Sequence, residues 1–281
     1  MNYFVNILIG IVFVVCITIF VKVYSSESYT QLREIPKIIW TYWSGSSIPK
    51  SVDACIKSWK KHNPDHTVII LNEENLEQYI EEDVHSFKFA TTNQRTSDFV
   101  RLCVLTEYGG TWIDASIFMS EPLDNNKTEF EFIGYYINAS TTDMRYPVIE
   151  NWFFRCLPGS EFITKWKDCF LEINNFPTIT AYVKYIEDKT DLQNIQGKEY
   201  LTMHIAAQYL FQHYQIDMSK LSLLCAEDGP FKYLAENKWD SKRGIINLYK
   251  YKNEPITKFR GGERTQIESM GLNLEEVLKT D

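Results

Sequence analysis

The sequence predicts an α/β fold in which a mostly parallel sheet is flanked by helices. Strand-like apolar runs alternate with helical patterns along most of the chain, which is typical of a layered sheet. Of the 281 residues, 44% are hydrophobic and 15% aromatic, so the chain can bury a large core and is not intrinsically disordered. Ligands of such sheets bind beyond the carboxyl ends of the strands.

The elements follow one another in a regular order. Apolar or β-branched runs predict strands at 37–43, 66–71, 111–113, 130–137, 149–156, 222–225 and 245–249. Helical spacing predicts helices at 51–62, 74–80, 94–108, 160–173, 179–187 and 198–214.

The first 23 residues predict a transmembrane helix that precedes this domain. Residues 4–21 are almost entirely apolar and would span about 27 Å as a helix, close to the thickness of the hydrocarbon core. A signal peptide cleaved near Ser25-Ser26 is the alternative. Residues 24–34 would form a short polar stalk, and 35–281 a single globular domain.

The orientation of this anchor stays open. Lys22 follows the apolar run, and nothing basic precedes it, which favours a cytosolic domain. Two glycosylation triplets, at Asn126 and Asn138, favour instead a lumenal domain of the Golgi type, if the source is eukaryotic.

Charge and cysteine content exclude several classes of protein. The net charge of −8 argues against general nucleic-acid binding, which needs a basic face, but it allows a small nucleotide ligand. Five cysteines fall in the globular part, without a CxxC pair or a Cys/His cluster. We therefore expect buried free thiols rather than a zinc site or a disulfide framework.

The residues between 97 and 116 carry the clearest chemical signal. Asp98 and Arg101 are three residues apart and therefore lie on one face of a helix. Asp98 lies in the first turn of this helix if Thr96 or Ser97 is its cap. Gly109 and Gly110 let the chain leave the helix and enter a strand.

That strand ends at Asp114, where an α/β enzyme places a ligand of a metal or a sugar. The structural alternative makes Asp98 and Arg101 a surface pair and Asp114 a turn residue. The close spacing of the three favours a site.

These motifs resemble a known family. Ser97-Asp98-x-x-Arg101 followed by Tyr108-Gly109-Gly110-x-Trp112-Ile113-Asp114 is similar to the core of the DXD-type sugar transferases of glycosyltransferase family 32. It is more similar to their capsular polysaccharide synthesis relatives, and more distantly similar to the glucosylating domain of large clostridial toxins. The resemblance includes residues 35–43, 58–65 and 151–153, fades after about residue 175 and so covers about half of the chain.

The resemblance implies a GT-A-like nucleotide-sugar-binding sheet and a membrane-anchored glycosyltransferase. The donor would be a UDP- or GDP-type nucleotide sugar and the acceptor a glycan or polysaccharide. Transfer would retain the anomeric configuration, with the departing phosphate relaying the acceptor proton, so that no separate base is needed.

The resemblance also implies roles for single residues. Asp114 and Arg101 would be catalytic, with Asp114 holding a divalent cation, Mn²⁺ or Mg²⁺, and Arg101 contacting the diphosphate or the sugar. Trp40 would stack on the donor base, although a core aromatic is the alternative. The substrate-binding set is completed by Asp98 on ribose or sugar hydroxyls, Asn151 on a sugar hydroxyl, and Ser116.

Ser116 is a departure from the DXD motif, because it replaces the second acid. A hydroxyl is a poor substitute for a carboxylate as a ligand of Mn²⁺ or Mg²⁺, so the metal is in doubt. Either Asp114 and the diphosphate hold the ion with water, or a later acid helps. Glu227 and Asp228 are candidates for that acid, with a solvated turn as the alternative. His204 would face either the cleft or the core.

Two other readings compete with a sugar transferase. Ser116 motivates a catalytically degenerate relative that only binds a glycan or a nucleotide. A glycoside hydrolase would need two carboxylates across a cleft. Gly261-Gly262 would form a mobile loop over the donor phosphates or a solvent-exposed turn.

Overall fold

The computed structural model describes residues 32–45, 47–82, 84–123, 126–251, 254–274 and 276. The predicted anchor at 1–23 and most of the stalk at 24–34 therefore lie outside the described residues. Within the described part, no helix is both long and apolar enough to cross a bilayer. Residues from Arg33 onward form one compact unit.

The described residues form ten β-strands and eight α-helices, joined by loops and short 3₁₀ turns. The strands are β1 Arg33–Glu34, β2 Ile38–Tyr42, β3 Thr67–Leu71, β4 Gly110–Ile113, β5 Ile117–Met119, β6 Lys127–Thr128, β7 Phe132–Tyr136, β8 Ile149–Cys156, β9 Leu221–Cys225 and β10 Ile256–Lys258. The helices are α1 Lys50–His62, α2 Asn93–Tyr108, α3 Glu161–Leu171, α4 Ile179–Glu187, α5 Thr202–His213, α6 Lys232–Ala235, α7 Ser241–Tyr251 and α8 Gly261–Ser269.

Six of these strands form the central sheet, in the order β3-β2-β4-β8-β7-β9. Neighbouring strands run parallel except where β8 pairs with β4 and with β7. The mostly parallel sheet and the α/β class predicted from the alternating elements are thus confirmed. Two small antiparallel pairs, β1 with β6 and β5 with β10, lie outside this sheet.

Both faces of the inner strands β2, β4 and β8 are largely buried, which explains why these strands read as nearly continuous apolar runs. Successive residues point to opposite faces. Trp40 and Trp112 join the core with α2, α3 and α5, whereas Ile39 and Ile113 join the core with α1 and the C-terminal helices.

The structure corrects several local predictions. The helix predicted from residue 94 begins at Asn93, and its cap is Thr92, whose hydroxyl accepts from the backbone N–H of Arg95 at 3.3 Å. Asp98 therefore lies in the second turn and not at the positive end of the helix. The strand predicted at 245–249 is wrong, because these residues form the middle of α7. Gly261 and Gly262 are neither a loop nor a turn, since they begin α8.

The cysteines behave as small core residues, as predicted. Cys55, Cys103, Cys156, Cys169 and Cys225 are free, and all but Cys225 are buried. Burial raises the pKa of the Cys55 thiol to about 12, so it stays protonated and unreactive at neutral pH.

The double glycine between α2 and β4 has a strict steric reason. Gly109 has φ +62° and ψ −152°, a combination that essentially only glycine adopts. A Cβ on Gly109 would lie 2.5 Å from the backbone nitrogen of Pro158. The Gly109 carbonyl also accepts a hydrogen bond from the Trp40 indole at 2.9 Å. This turn sets the direction in which β4 leaves the helix and thus where Asp114 lies.

We predict that Gly109→Ala lowers the free energy of unfolding by about 2–5 kcal/mol, because backbone strain adds to the clash with a rigid backbone. Urea denaturation of the full chain measures the change. Gly262→Ala is the matched control, since its Cβ meets open space in the first turn of α8. It should leave stability unchanged or raise it by up to about 1 kcal/mol. Equal effects of the two substitutions would contradict the steric explanation.

Candidate active site

A cleft of about 540 Å³ opens where β2 and β4 end and β8 begins. Strand ends at one edge of a parallel sheet are the expected ligand site. Among the described residues that line it, four side chains are cationic and two are carboxylates. The four cations are Arg101, Lys258, Arg260 and Arg264, and the carboxylates are Asp114 and Glu150. An acidic protein thus gathers positive charge in this cleft, which suits an anionic ligand.

Asp114 lies directly after β4, on the floor of the cleft, with 25% of its side chain exposed. Its Oδ1 accepts from the Trp112 indole at 3.1 Å and lies 3.3 Å from the Arg101 guanidinium. Its Oδ2 accepts from the Lys258 ammonium at 2.7 Å. The same ammonium donates to Ser116 Oγ at 2.9 Å. Lys258 therefore bridges the two side chains at the first and third positions of the DXD-like motif.

Arg101 contacts Asp114 from the side opposite Lys258 and connects it to α2 and β8. Its guanidinium donates to the Ser97 carbonyl at 3.1 Å, to the Ser97 hydroxyl at 2.9 Å and to the Asn151 carbonyl. It lies 3.3 Å from Asp98 Oδ1, and its central carbon lies 5.0 Å from the centre of the Trp112 ring. Only 4% of its side chain is exposed, and these contacts hold Arg101 in place where it lines the cleft. Its contact with the diphosphate or the sugar stays a prediction.

Asp98 is fully buried and does not line the cleft. Its carboxylate accepts from the Asn151 amide at 2.9 Å and from the Gln94 amide. Burial raises the pKa of Asp98 to about 6, although Arg101 and His204 lower it in part. The predicted contact with ribose or sugar hydroxyls is therefore corrected, and the Asn151 amide N–H, predicted to bind a sugar, is directed to Asp98.

The pKa values of Asp114 and Lys258 both lie below their ordinary values, but for different reasons. Burial acts to raise the pKa of Asp114, but Lys258 and Arg101 outweigh it and lower that pKa below its ordinary value. Burial lowers the pKa of Lys258, and the Asp114 carboxylate opposes this in part.

Three polar groups in the cleft have no hydrogen-bond partner among the described residues. They are Trp152 Nε1, His204 Nδ1 and Arg264 Nε. These atoms are buried beneath the surface of the cleft. His204 lines the cleft, with its Nε2 3.6 Å from Glu150, and the Arg264 guanidinium lies 5.8 Å from the centre of the Trp43 ring.

The residues at Asp114 do not fit a divalent cation. Mg²⁺ in nucleotide sites is held by one or two carboxylates together with substrate phosphates and water. Here the motif offers one carboxylate and one hydroxyl, and the Lys258 ammonium already bridges them and takes up the position of the ion. Among the residues that the structure describes, no three His, Cys, Asp or Glu side chains are close enough to hold a metal. Glu227 does not help, since its carboxylate accepts from the backbone N–H groups of Asn138 and Ala139 at 2.9 Å.

Trp40 is a core residue and not a platform for the donor base. Its side chain is 1% exposed, and its ring lies 5.5 Å from those of Tyr79 and Tyr108. The reason is that β2 is buried on both faces of the sheet, so Trp40 packs into the core on its own face of the strand. Trp43, one residue beyond β2, lines the cleft instead.

The C-terminal segment supplies the site residues that the sequence did not reveal. Lys258 ends β10, and Arg264 lies in α8. Neither belongs to a motif, and both reach the cleft only because β10 pairs with β5 directly after Asp114. The sequence held one signal, the basic content of 258–264, which is too general to locate a site.

The chain is similar to a known family and to several curated proteins. Residues 17–243 match the family described as capsular polysaccharide synthesis protein. The chain is 28% identical over 158 residues to the O-glycosyltransferase braB of Annulohypoxylon truncatum. The aligned region covers 49% of this chain and 37% of that protein. It is 29% identical over 107 residues to inositol phosphoceramide mannosyltransferase 3 of Schizosaccharomyces pombe, covering 36% and 30% of the two chains.

Among solved structures, the PaToxG glycosyltransferase aligns with 92% of this chain and 94% of its own, at 13% identity and a TM-score of 0.47. The chain spans less than two fifths of the length of the two curated relatives named above. The family match covers well over half of this chain and confirms the predicted resemblance: the chain belongs to the family of capsular polysaccharide synthesis proteins.

Proposed function

We propose that this protein is a glycosyltransferase with a GT-A-like sheet, which moves a sugar from a UDP- or GDP-type donor to a glycan or polysaccharide acceptor. The observation that carries the proposal is the cleft at the strand ends, where Asp114 lies among Arg101, Lys258 and Arg264. Fixed cations beside an acid suit a ligand that is both a diphosphate and a sugar. The names of the curated relatives support the same activity.

The diphosphate of the donor would contact Lys258, whose ammonium has a third donor without a partner among the described residues, and Arg264, whose side chain lines the cleft. Asp114 has exposed carboxylate surface left to accept a bond from a sugar or ribose hydroxyl.

The nucleoside would occupy a neighbouring cavity of about 620 Å³, which shares Tyr42 and Asn93 with the cleft. Its wall includes Glu73, which accepts from the Tyr42 hydroxyl at 2.8 Å, and Glu77. Carboxylates of this kind accept hydrogen bonds from ribose hydroxyls.

The reaction requires little covalent chemistry from the protein. The bond between the anomeric carbon and the phosphate oxygen breaks, and its electron pair stays on the diphosphate. The acceptor oxygen bonds to the same carbon on the face from which the phosphate departs, so the configuration is retained, and its proton passes to the departing phosphate beside it. Positive charge develops on the sugar and negative charge on the leaving group, and the cleft cations stabilise the latter.

The apolar run at 4–21 would hold this enzyme at a membrane, with its domain in the Golgi lumen if the source is eukaryotic, or facing the cytosol as the alternative. Of the two glycosylation triplets, Asn126 is buried and accepts from Arg155 at 2.8 Å, whereas Asn138 is exposed.

We expect the full chain to stay in the membrane pellet after alkaline carbonate extraction, because an 18-residue apolar helix partitions into the bilayer. A variant without residues 1–23 should move to the supernatant. Recovery of the full chain in the supernatant would contradict the anchor.

Asp114→Asn is the direct test of the site. The amide cannot pair with Lys258, so the ammonium loses its position, and we expect turnover to fall by about 10²–10³-fold or more. The assay is release of nucleoside diphosphate from a panel of UDP- and GDP-sugars, with circular dichroism to verify the fold. Asp228→Asn, at an exposed acid outside the cleft, should keep turnover within about twofold.

Normal turnover of Asp114→Asn would overturn the site assignment. A degenerate relative would give a third result. UDP or GDP would raise the melting temperature of the wild-type protein, but the protein would consume no donor.

The buried Asp98 gives a prediction for pH. Its pKa is about 6 in the folded state and about 3.9 in the unfolded chain, so the folded state binds the proton more tightly. The stability that this proton confers is fully present below the lower pKa and is lost as the pH rises through 6.

We predict that the stability of the wild type relative to Asp98→Asn falls by about 2–3 kcal/mol between pH 4 and pH 7. Urea denaturation of both proteins across this range measures the difference, and the contributions of titrating groups distant from Asp98 cancel. A difference that rises with pH would contradict the direction of the shift.

A further inference from the structure

We propose that Lys258 takes the place of a divalent cation in this enzyme, binding the donor diphosphate and stabilising it as it leaves. This inference rests on the proposed function, since it names the positive charge that stabilises the departing diphosphate at the same site. It makes Lys258 a catalytic residue that contacts the leaving group, and it makes transfer independent of metal.

The position of the Lys258 ammonium is the first support. It lies 2.7 Å from Asp114 Oδ2 and 2.9 Å from Ser116 Oγ, which is where the two side chains of a DXD motif would direct an ion. An ammonium has three N–H donors. Two are directed to Asp114 and Ser116, and the third has no partner among the described residues and lines the cleft. That donor is the one available to a phosphate oxygen.

The backbone of Lys258 is fixed in a way that suits a built site. Its N–H donates to the Pro230 carbonyl at 3.1 Å, and its carbonyl accepts from the Tyr233 hydroxyl at 2.9 Å. Its strand partner in β5 is Ile117, one residue after Ser116. Only 9% of the side chain is exposed, so the ammonium is preorganised and does not need to be ordered when the donor binds.

Charge balance is the second support. A DXD motif carries two carboxylates and needs a divalent cation to attract an anionic donor. Here the motif carries one carboxylate and one hydroxyl, and the single charge of Lys258 balances that of Asp114, while Arg101 is shared between Asp114 and Asp98. Arg264 lines the same cleft, so the protein itself supplies positive charge for the departing diphosphate.

The first test is nucleotide binding by the wild-type full chain, because it does not depend on any variant folding. Isothermal titration with UDP and with GDP is carried out in EDTA and again with Mn²⁺. We expect one of the two nucleotides to bind with dissociation constants that agree within threefold between the two conditions. Binding that occurs only with Mn²⁺ would overturn the proposal while leaving the proposed function intact. Absence of binding in both conditions would instead contradict the proposed function itself.

The second test removes the ammonium with Lys258→Met, which keeps the length of the side chain. We expect binding of the nucleoside diphosphate to weaken at least tenfold and turnover to fall at least a hundredfold, while binding of the phosphate-free nucleoside changes less than twofold. Lys165→Met is the control, since Lys165 forms a similar ion pair, with Glu161 at 2.7 Å, outside the cleft. Equal weakening of the nucleoside and its diphosphate would show a structural role and overturn the proposal.

The third test converts the site to metal dependence. Ser116→Asp combined with Lys258→Met restores two carboxylates and removes the resident cation. We expect Mn²⁺ to tighten nucleoside diphosphate binding at least tenfold in this double variant and less than threefold in the wild type. Equal stimulation of the two proteins by Mn²⁺ would show that the wild type already uses the metal.

Discussion

The structure of the site depends on a buried row of alternating charges, Asp98, Arg101, Asp114 and Lys258. Each neighbouring pair lies within 3.3 Å. Since a buried charge without a partner is costly, and removal of one partner from a buried pair is strongly destabilising, no member can move independently. The row joins helix α2, the end of β4 and strand β10, which are far apart in the sequence. It therefore locks the C-terminal segment onto the sheet at the point where the cleft opens.

The sequence was most informative where one periodicity dominates. The strands around Trp40, Trp112 and Phe154 were predictable because both faces of these inner strands are largely buried, and the double glycine marked the end of α2 because only glycine fits the turn. Residue roles were harder to predict. For Trp40 the resemblance implies stacking on the donor base and leaves a core position as the alternative, and the structure shows the core position. For Asp98 it implies a contact with the donor, but the side chain lies on the buried face of α2, beneath the cleft.

The C-terminal part of the chain shows why the remainder was not predictable. Ile245 and its neighbours were interpreted as a strand because β-branched and aromatic residues cluster there, but α7 buries Ile245 against the second core. Tertiary packing overrides such local preferences. Lys258 lies 144 residues from Asp114 in the sequence and outside the part of the chain that matches the family. Neither spacing nor resemblance therefore indicated that the two residues meet.

The geometry also gives a physical reason for Ser116, the residue that departs from the DXD motif. A carboxylate at this position would add a second negative charge beside Asp114, in a cleft that must attract an anionic donor. The Ser116 hydroxyl accepts from Lys258 at 2.9 Å and so orients the ammonium without consuming its charge. One carboxylate and one hydroxyl suffice to hold an ammonium, whereas a divalent ion needs more anionic oxygen. In this chain the loss of the second acid and the presence of Lys258 are two parts of one arrangement, and the serine is consistent with an active site rather than with a degenerate one.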